Sequence, residues 1–169
     1  MHRYKTIRAD GICLAALLAV ILGGCAAESA PPCPLPASTA QAPSAGCLAI
    51  LDGGVLLVEN FKGKLSPPGG SANDGESAQC TAFRETWEET GLLLEPEQLL
   101  DVFDTGFHLY RCRHHATSGR IDPPVRLEVR DAFYLAPSDF DRWEWRFPGQ
   151  QQVIRRLAEA ELEPIAPAP

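Results

Sequence analysis

The sequence predicts an α/β or α+β domain built as a helix–sheet–helix sandwich. Short apolar runs typical of strands stand before, between and after two segments with helical character. The two helical segments cover 78–90 and 150–162. An apolar content of 45% and a charged content of 22% suit one ordinary globular domain. Strands that stand before, between and after two helices indicate that the helices pack on a sheet.

The predicted domain opens with a β-hairpin. The apolar runs 47–51 and 55–59 are joined by turn residues at 52–54. The Pro-Pro-Gly-Gly stretch at 67–70 cannot continue a strand or a helix, so we expect an irregular loop there. Three further strands are predicted at 99–103, 107–112 and 125–135.

The two predicted helices differ in what indicates them. Ser77 suits the N-cap of the first helix, and Gly91 stands where a residue beyond the helix C-terminus is expected. The second helix is indicated by apolar residues that share one face. These residues are Val153, Ile154 and Leu157.

The first 24 residues have the layout of a secretory signal peptide. The basic residues Arg3, Lys5 and Arg8 precede an apolar run at 12–22. That run is shorter than the roughly 20 apolar residues that span a bilayer core. We therefore expect a signal peptide at 1–24 rather than a permanent transmembrane helix.

Cys25 follows this leader directly, in the sequence Leu-Gly-Gly-Cys at 22–25. The tetrapeptide resembles the cleavage site of bacterial lipoproteins, in which the cysteine receives lipid and becomes the mature N-terminus. This resemblance implies an exported, membrane-anchored protein that faces the periplasm. Ala26 resembles the context that directs such proteins to the outer membrane, because it is not Asp. An ordinary cleaved leader with an incidental cysteine is the alternative.

Composition divides the rest of the chain. Residues 25–45 comprise Cys25 and a segment rich in Pro, Ala and Ser, which predicts an extended tether. Residues 46–163 contain all the predicted strands and helices and are expected to form the single folded domain. Residues 164–169 form a Pro-rich tail that is expected to be disordered.

The charge balance excludes one class of partner. The formal net charge is −7, from 15 Lys and Arg against 22 Asp and Glu. No basic stripe is present that could neutralise a phosphate backbone, so nucleic acid is not an expected partner. The oligomeric state stays open.

One motif carries most of the functional information. Seven residues have the spacing G-x5-E-x7-R-E-x-x-E-E-x-G, and they are Gly70, Glu76, Arg84, Glu85, Glu88, Glu89 and Gly91. The motif resembles the signature of Nudix hydrolases at every fixed position. One neighbouring position departs from it, since Thr86 stands where the family usually has an aliphatic residue. The resemblance implies a Nudix-like sandwich with a mixed sheet and a small-molecule diphosphate substrate.

The helical spacing of the glutamates indicates a cation site. Glu85, Glu88 and Glu89 stand at i, i+3 and i+4 and project from one face of the predicted helix. Like charges at this spacing repel each other, and a hard divalent cation relieves the repulsion. We therefore expect Mg²⁺, or Mn²⁺, as the cofactor. The alternative is a solvated acidic face of a surface helix.

The resemblance implies roles for the surrounding residues. Arg84 orients Glu85, and the carbonyl of Gly69 completes the metal shell, although a simple loop turn is the alternative for Gly69. The glutamates share metal binding and proton removal during attack of water on a diphosphate. Some family members place the base on a distant strand or loop. Here Glu128 and Asp131 are the candidates for a distal carboxylate, unless they are outward-facing strand residues.

The resemblance implies hydrolysis of a nucleoside diphosphate derivative or a related diphosphate compound. A diphosphate-binding lipoprotein without activity and a structural envelope lipoprotein are the alternatives, and both are disfavoured by the intact glutamates. Tyr110 resembles a position of dinucleoside polyphosphate enzymes, but a core role is also open. Base stacking and core packing are both open for three aromatic residues, Trp143, Trp145 and Phe147. A metal site at His114 and His115 is not supported, because no partners stand at ligand spacing.

The cysteines suggest a disulfide in an exported protein. Cys33 and Cys47 stand near each other in the chain, and an exported segment is readily oxidised, which predicts a local bond between them. Cys80 and Cys112 fall in a predicted helix and strand, so they are expected to be buried free thiols. Four cysteines nevertheless admit three pairings.

Overall fold

The computed structural model describes residues 29–36, 40–125 and 128–162. The predicted leader at 1–24, Cys25 and the predicted tail at 164–169 lie outside the described residues. Within the described ranges, no helix combines the length and the apolar character needed to cross a membrane.

The strands form two sheets. The bounds in chain order are β1 (Ser44–Leu48), β2 (Ile50–Leu51), β3 (Gly54–Glu59), β4 (Lys64–Ser66), β5 (Gly69–Ser71), β6 (Leu94–Val102), β7 (Phe107–His114), β8 (Asp131–Leu135) and β9 (Glu144–Trp145). The first sheet has the order β5-β1-β7-β6, and the second has the order β2-β3-β4-β9 with β8 paired to β3. β1 is antiparallel to β5 and parallel to β7. The expected mixed sheet is therefore confirmed.

Both predicted helices are confirmed at their predicted bounds. α1 covers Ala78–Thr90, and α2 covers Gln150–Leu162. The Ser77 side chain accepts a hydrogen bond from the Cys80 N–H at 3.3 Å. Gly91 has a φ of 75°, and its N–H donates to the Trp87 carbonyl at 2.7 Å. Both ends of α1 are thus capped by the residues expected from the sequence. A short 3-10 helix, Pro137–Arg142, precedes β9.

The two helices cover opposite sides of the strand layer. In β1, Cys47 belongs to a buried cluster that includes Ala78 and Ala82 of α1. The next residue, Leu48, belongs to a second cluster that includes Ile154 of α2. Successive side chains of a strand point to opposite faces, so β1 contributes to both halves of the core. This arrangement confirms the helix–sheet–helix sandwich.

The β-hairpin is also confirmed. Ile50 of β2 pairs with Val55 of β3, and the turn between the two strands contains Asp52 with a φ of 50° and Gly53 with a φ of 79°. The predicted first strand is divided, because β1 ends at Leu48 and β2 begins at Ile50. β2 pairs with β3 in the second sheet, so the break lets one chain segment enter both sheets.

Three strand boundaries differ from the prediction. The segment predicted as a loop at 67–70 ends in strand β5, because two facing glycines allow its backbone to pair closely with β1. β6 begins at Leu94 rather than at 99. β8 begins at Asp131 rather than at 125, although Val129 is buried beside Val58. Val129 is therefore buried from a turn that precedes β8, and the Arg130 N–H donates to the Glu59 carbonyl of β3 at 2.7 Å just before the strand begins.

The predicted pairing of Cys33 with Cys47 is wrong. Cys33 forms a disulfide with Cys80, and Cys47 forms one with Cys112, so the expectation that Cys80 and Cys112 are free thiols is also wrong. Cys47 lies opposite Tyr110 in the parallel pairing of β1 and β7, close to Cys112 in the same buried cluster. Sheet register brings this pair together, and register is not visible in the spacing of the cysteines.

The segment before β1 packs on the domain. The Ala78 N–H donates to the Ala40 carbonyl at 2.9 Å, and the Ala72 N–H donates to the Pro43 carbonyl at 3.1 Å. Ala42 is buried within the core cluster beneath α1. Part of the segment predicted as a tether at 25–45 therefore lies against the folded domain, and the Cys33–Cys80 disulfide joins a further part to α1.

The two disulfides differ in exposure, which predicts their order of reduction. Cys33 and Cys80 are half-buried, whereas Cys47 is fully buried and Cys112 is 5% exposed. Thiol–disulfide exchange requires access to a sulfur atom. A mild reductant should therefore reduce Cys33–Cys80 in the folded protein before Cys47–Cys112. Timed alkylation with peptide mapping measures the order, and equal rates for the two bonds would contradict it.

Candidate active site

A glycine pair lets strand β5 approach β1 and helix α1 closely. Gly46 of β1 lies opposite Gly69 of β5, and a Cβ on Gly69 would lie 2.5 Å from the Gly46 Cα. A Cβ on Gly70 would collide with the carboxylate of Glu85. Because neither glycine carries a side chain, the Glu85 carboxylate lies directly against the backbone of β5.

Arg84 is the centre of the polar contacts on α1. Its Nε and Nη2 donate to the two carboxylate oxygens of Glu76, each at 2.9 Å. Its Nη1 donates to Glu85 at 2.8 Å and to Glu88 at 3.1 Å. Nη2 also donates to the Ser71 carbonyl at 2.7 Å. One guanidinium therefore joins the end of β5, the loop before α1 and two carboxylates of the helix.

These contacts shift the ionisation of both partners. Hydrogen bonds to Glu76 raise the pKa of Arg84 above its ordinary value, against an opposing effect of burial. Burial raises the pKa of Glu76, but hydrogen bonds from Arg84 and from the Asn73 N–H, with the charge of Arg84, outweigh it and leave the pKa lowered. Both groups are thus held in their charged forms.

Three carboxylates meet beside this arginine. Glu85, Glu88 and Glu128 each bring an oxygen into a group in which all three lie within 4.8 Å of one another. Glu128 reaches the group from the loop before β8, although the sequence placed it on a strand. Asp131, the other candidate, lies at the start of β8, where its Oδ1 accepts from the Ala132 N–H at 2.8 Å.

The donor set fits a small divalent cation. All three groups supply hard carboxylate oxygens, which are the ligands that Mg²⁺ prefers. The oxygens of one octahedral shell lie roughly 3 to 4 Å apart when the metal–oxygen distance is about 2.1 Å. The observed separations therefore need only small side-chain movements to surround one cation.

Glu89 occupies a different environment from the other glutamates. It is 5% exposed, and its Oε2 accepts a hydrogen bond from the Gly69 N–H at 2.8 Å. Burial, with the nearby charges of Glu85 and Glu128, raises the pKa of Glu89 to about 8, whereas the Gly69 bond and the charge of Arg146 oppose the rise. The N–H of Gly69 thus contacts Glu89, while a metal-binding role for its carbonyl stays a prediction.

Burial also raises the pKa of Glu85. The hydrogen bond and charge of Arg84 lower it, and the charges of Glu88 and Glu128 add to the rise. Glu85 and Glu89 are therefore both buried carboxylates whose charge the metal-free protein stabilises poorly. A cation bound by Glu85, Glu88 and Glu128 would supply countercharge to Glu85 and, from nearby, to Glu89.

A cleft of about 590 Å³ adjoins the carboxylates. It extends from the glycines of β5 to the first turn of α2. Its wall includes Gly69, Gly70, Phe107, Arg146, Phe147 and Gln150. The cleft thus combines polar groups, among them Arg146 and Gln150, with the aromatic walls of Phe107 and Phe147.

The predicted aromatic trio separates in the structure. Phe147 lines the cleft. Trp143 packs on Phe133 with ring centroids 5.3 Å apart, and Trp145 packs edge-on against Phe140 at 4.9 Å. Of the three residues, Phe147 is placed to meet a ligand in the cleft.

Tyr110 and the histidine pair lie away from the cleft lining. Tyr110 is buried in the core cluster beneath α1. His114 Nε2 lies 2.8 Å from the Tyr134 hydroxyl, and His115 Nδ1 lies 2.7 Å from the Thr117 hydroxyl. These contacts give Tyr110 a packing role and the histidines local polar partners.

Sequence reasoning missed two cleft residues, Arg146 and Gln150. Arg146 lies between the aromatic residues already noted at 143–147, and its guanidinium lies 5.3 Å from the ring centroid of Phe147. Gln150 is the first residue of α2. Neither belongs to the signature. The Arg146 N–H donates to the Leu65 carbonyl of β4 at 2.8 Å, and Gln150 begins α2, so tertiary packing brings both residues to the cleft.

Comparison with known proteins agrees with this geometry. The NUDIX domain family matches residues 40–157. An ADP-ribose pyrophosphatase from Streptococcus suis is 19% identical, with a TM-score of 0.59, over 71% of this chain and 91% of its own. A UDP-X diphosphatase is 20% identical, with a TM-score of 0.59, over 76% and 68%. A Nudix hydrolase family member from Chromobacterium violaceum is 26% identical, with a TM-score of 0.56, over 78% and 85%.

The two kinds of similarity carry different weight. The solved structures below 25% identity share the fold, whereas the family match covers well over half of the sequence and includes the glycine strand, α1 and most of α2. Because that match contains every residue of the signature, the chain belongs to the Nudix family and is a pyrophosphohydrolase, an enzyme that hydrolyses diphosphate linkages.

Proposed function

We propose that this protein is a membrane-tethered, Mg²⁺-dependent hydrolase of nucleoside diphosphate derivatives or related diphosphate compounds. The observation that carries the proposal is the meeting of Glu85, Glu88 and Glu128 within 4.8 Å of one another, beside a cleft large enough for a small molecule. Mn²⁺ satisfies the same ligands and is the second cation to test.

Glu85, Glu88 and Glu128 are the proposed cation ligands, and Glu89 is a fourth carboxylate near the same position. A bound divalent cation supplies charge neutralisation at the diphosphate oxygens and lowers the pKa of an attacking water. Arg84 holds Glu85 and Glu88 in place through its hydrogen bonds. The protein thereby orients its ligands before the substrate arrives.

Arg146 is the proposed phosphate-binding group of the chain. It lines the cleft, and its charge is close enough to lower the pKa of Glu89. A guanidinium matches the geometry of phosphate oxygens and stays charged at all relevant pH values. A diphosphate between Arg146 and the cation site would have its charge balanced from two sides.

The similar solved structures support a nucleoside diphosphate derivative as the class of substrate. Two proteins of similar fold are described as an ADP-ribose pyrophosphatase and a UDP-X diphosphatase. Both names denote diphosphates joined to a nucleoside. A non-catalytic, diphosphate-binding lipoprotein is the second candidate, and the intact set of signature glutamates disfavours it.

Export and lipidation are part of the proposal. Cys25 is the proposed mature, acylated N-terminus, facing the periplasm from the outer membrane. Two disulfides in one small domain are typical of an oxidising compartment. Cys33 is bonded to α1 and lies eight positions after Cys25, with seven residues between them. Eight positions span at most about 29 Å, which would hold the domain near the membrane surface.

Removing one charged cation ligand should abolish activity without unfolding the protein. We expect Glu88→Gln to lower the metal-dependent kcat by at least about 100-fold, because the variant loses a ligand charge. Release of phosphate or nucleoside monophosphate from a panel of diphosphates with Mg²⁺ measures it. Glu159→Gln, an exposed change on α2, is the matched control. Wild-type turnover by Glu88→Gln would contradict the assigned site.

Glu89 should make the metal-free protein less stable as the pH rises. Its folded pKa is about 8, against an ordinary 4.5, so between these values the folded chain keeps a proton that the unfolded chain has lost. The free energy of unfolding should fall across this window by at most about 5 kcal/mol. Glu89→Gln should remove this part of the pH dependence.

Denaturant unfolding in EDTA at pH 5 to 8 measures this fall in the free energy of unfolding. Saturating Mg²⁺ should reduce it in the wild-type protein, because a cation stabilises the ionised carboxylate. Equal pH slopes for the wild-type protein and Glu89→Gln in EDTA would show that Glu89 is not the titrating group.

Lipidation at Cys25 is tested in a bacterial host that processes lipoproteins. Cys25→Ser should abolish acylation and release the protein from the membrane fraction or leave it uncleaved, since stable anchoring needs acyl chains at that residue. Mass spectrometry of the N-terminal peptide identifies the modification. An unmodified wild-type N-terminus at any other residue would disprove the assignment.

A further inference from the structure

Gln150 is an unusual residue in the cleft. It is 6% exposed and begins α2, and it forms part of the cleft lining. Its carboxamide Oε1 is buried and has no hydrogen-bond partner among the described residues. Buried polar atoms are nearly always paired in folded proteins, because desolvation without a partner costs free energy. Because Gln150 lines the cleft, a rotation of its side chain that turns the carboxamide into the cleft would let a ligand supply the missing partner.

The position of Gln150 is held by its surroundings. Its backbone N–H donates to the Phe147 carbonyl at 3.3 Å. One turn later, Ile154 is fully buried in the core cluster. Gln150 therefore stands on an anchored helix rather than on a free loop, so its backbone is fixed beside the cleft before a ligand binds.

The neighbouring walls suit a flat ligand group. Phe107 and Phe147 line the same cleft, and Phe103 packs edge-on against Phe107 with ring centroids 5.9 Å apart. Phe147 is 48% exposed, so part of its ring is accessible to a ligand in the cleft. Aromatic rings stack on heterocyclic bases and tolerate different bases, since each base has a flat face.

We infer that Gln150 is a specificity-determining residue that recognises the hydrogen-bonding edge of a nucleobase held against Phe107 and Phe147. The inference rests on the proposed function, because it places the diphosphate of the same ligand at the proposed cation site. A carboxamide presents an acceptor and a donor side by side. The Watson–Crick edges of adenine and uracil each present a donor beside an acceptor, so either base can pair with it.

The inference distinguishes nucleoside diphosphates from lipid diphosphates. An isoprenoid chain could pack against Phe107 and Phe147, but it has no hydrogen-bond donor for Oε1 of Gln150. The buried acceptor would stay unpaired, which disfavours such a ligand. The enzyme should therefore prefer a diphosphate that carries a base.

The test compares one substitution at two positions of α2. Gln150→Met preserves the approximate shape of the side chain and removes its polar atoms, and Gln152→Met makes the same change at an exposed position. Hydrolysis of ADP-ribose, UDP-glucose and farnesyl diphosphate is followed with Mg²⁺. Gln150→Met should lower kcat/KM for the better nucleotide by about 10- to 100-fold, mainly through KM. Any rate with farnesyl diphosphate should stay unchanged, as should all rates of Gln152→Met.

A binding measurement separates this inference from the proposed function. By calorimetry, the wild-type protein should bind AMP or UMP at least about tenfold more tightly than ribose 5-phosphate, which lacks a base. Gln150→Met should lose this preference, and Gln152→Met should keep it. Absence of hydrolysis with every diphosphate would overturn the proposed function alone, because binding still reports on Gln150. Equal binding of all three ligands by the wild-type protein, or an unchanged preference in Gln150→Met, would overturn the inference.

Discussion

The active site depends on one guanidinium that holds several like charges together. Arg84 donates to Glu76, Glu85 and Glu88 and also to the carbonyl of Ser71. Carboxylates one helical turn apart repel each other, and burial removes the water that would screen them. Arg84 offsets this repulsion at the group of carboxylates proposed to bind the cation. The same guanidinium joins β5 to α1 through the Ser71 carbonyl. Arg84 therefore both neutralises the carboxylates and positions the two elements that carry the site.

Close backbone approach is the second requirement of the site. Gly46 and Gly69 allow β1 and β5 to pair where side chains would collide, and Gly70 leaves room for the Glu85 carboxylate. β1 also pairs with β7 and is joined to it by the Cys47–Cys112 disulfide. Strand β1 is therefore held by hydrogen bonds to both neighbouring strands and by a covalent bond to β7. These bonds restrict movement beside the carboxylates of the proposed cation site.

The cleft is lined both by glycines at the start of the family signature and by residues that lie outside the signature. Its lining includes Gly69 and Gly70 of β5, which lie against the carboxylates of Glu89 and Glu85, together with Phe107 and residues at and before the start of α2. The signature carries the chemistry of the family, whereas Arg146, Phe147 and Gln150 lie outside it. The groups proposed for reaction and for specificity therefore lie on different elements that meet only in the folded domain.

The sequence by itself determined the features that local physics controls. Ser77 and Gly91 mark the ends of α1 through capping, and the spacing of Glu85, Glu88 and Glu89 places them on the helix that carries the signature. Tertiary structure decided what depends on contacts between distant segments. Register paired Cys47 with Cys112. A loop, rather than the predicted strand, brought Glu128 to Glu85, and packing buried Glu89 against β5. Helix caps and helix faces depend on residues close together in the chain, so the sequence predicts them. Burial and contacts between strands depend on distant residues, so they are decided only when the helices pack on the sheets.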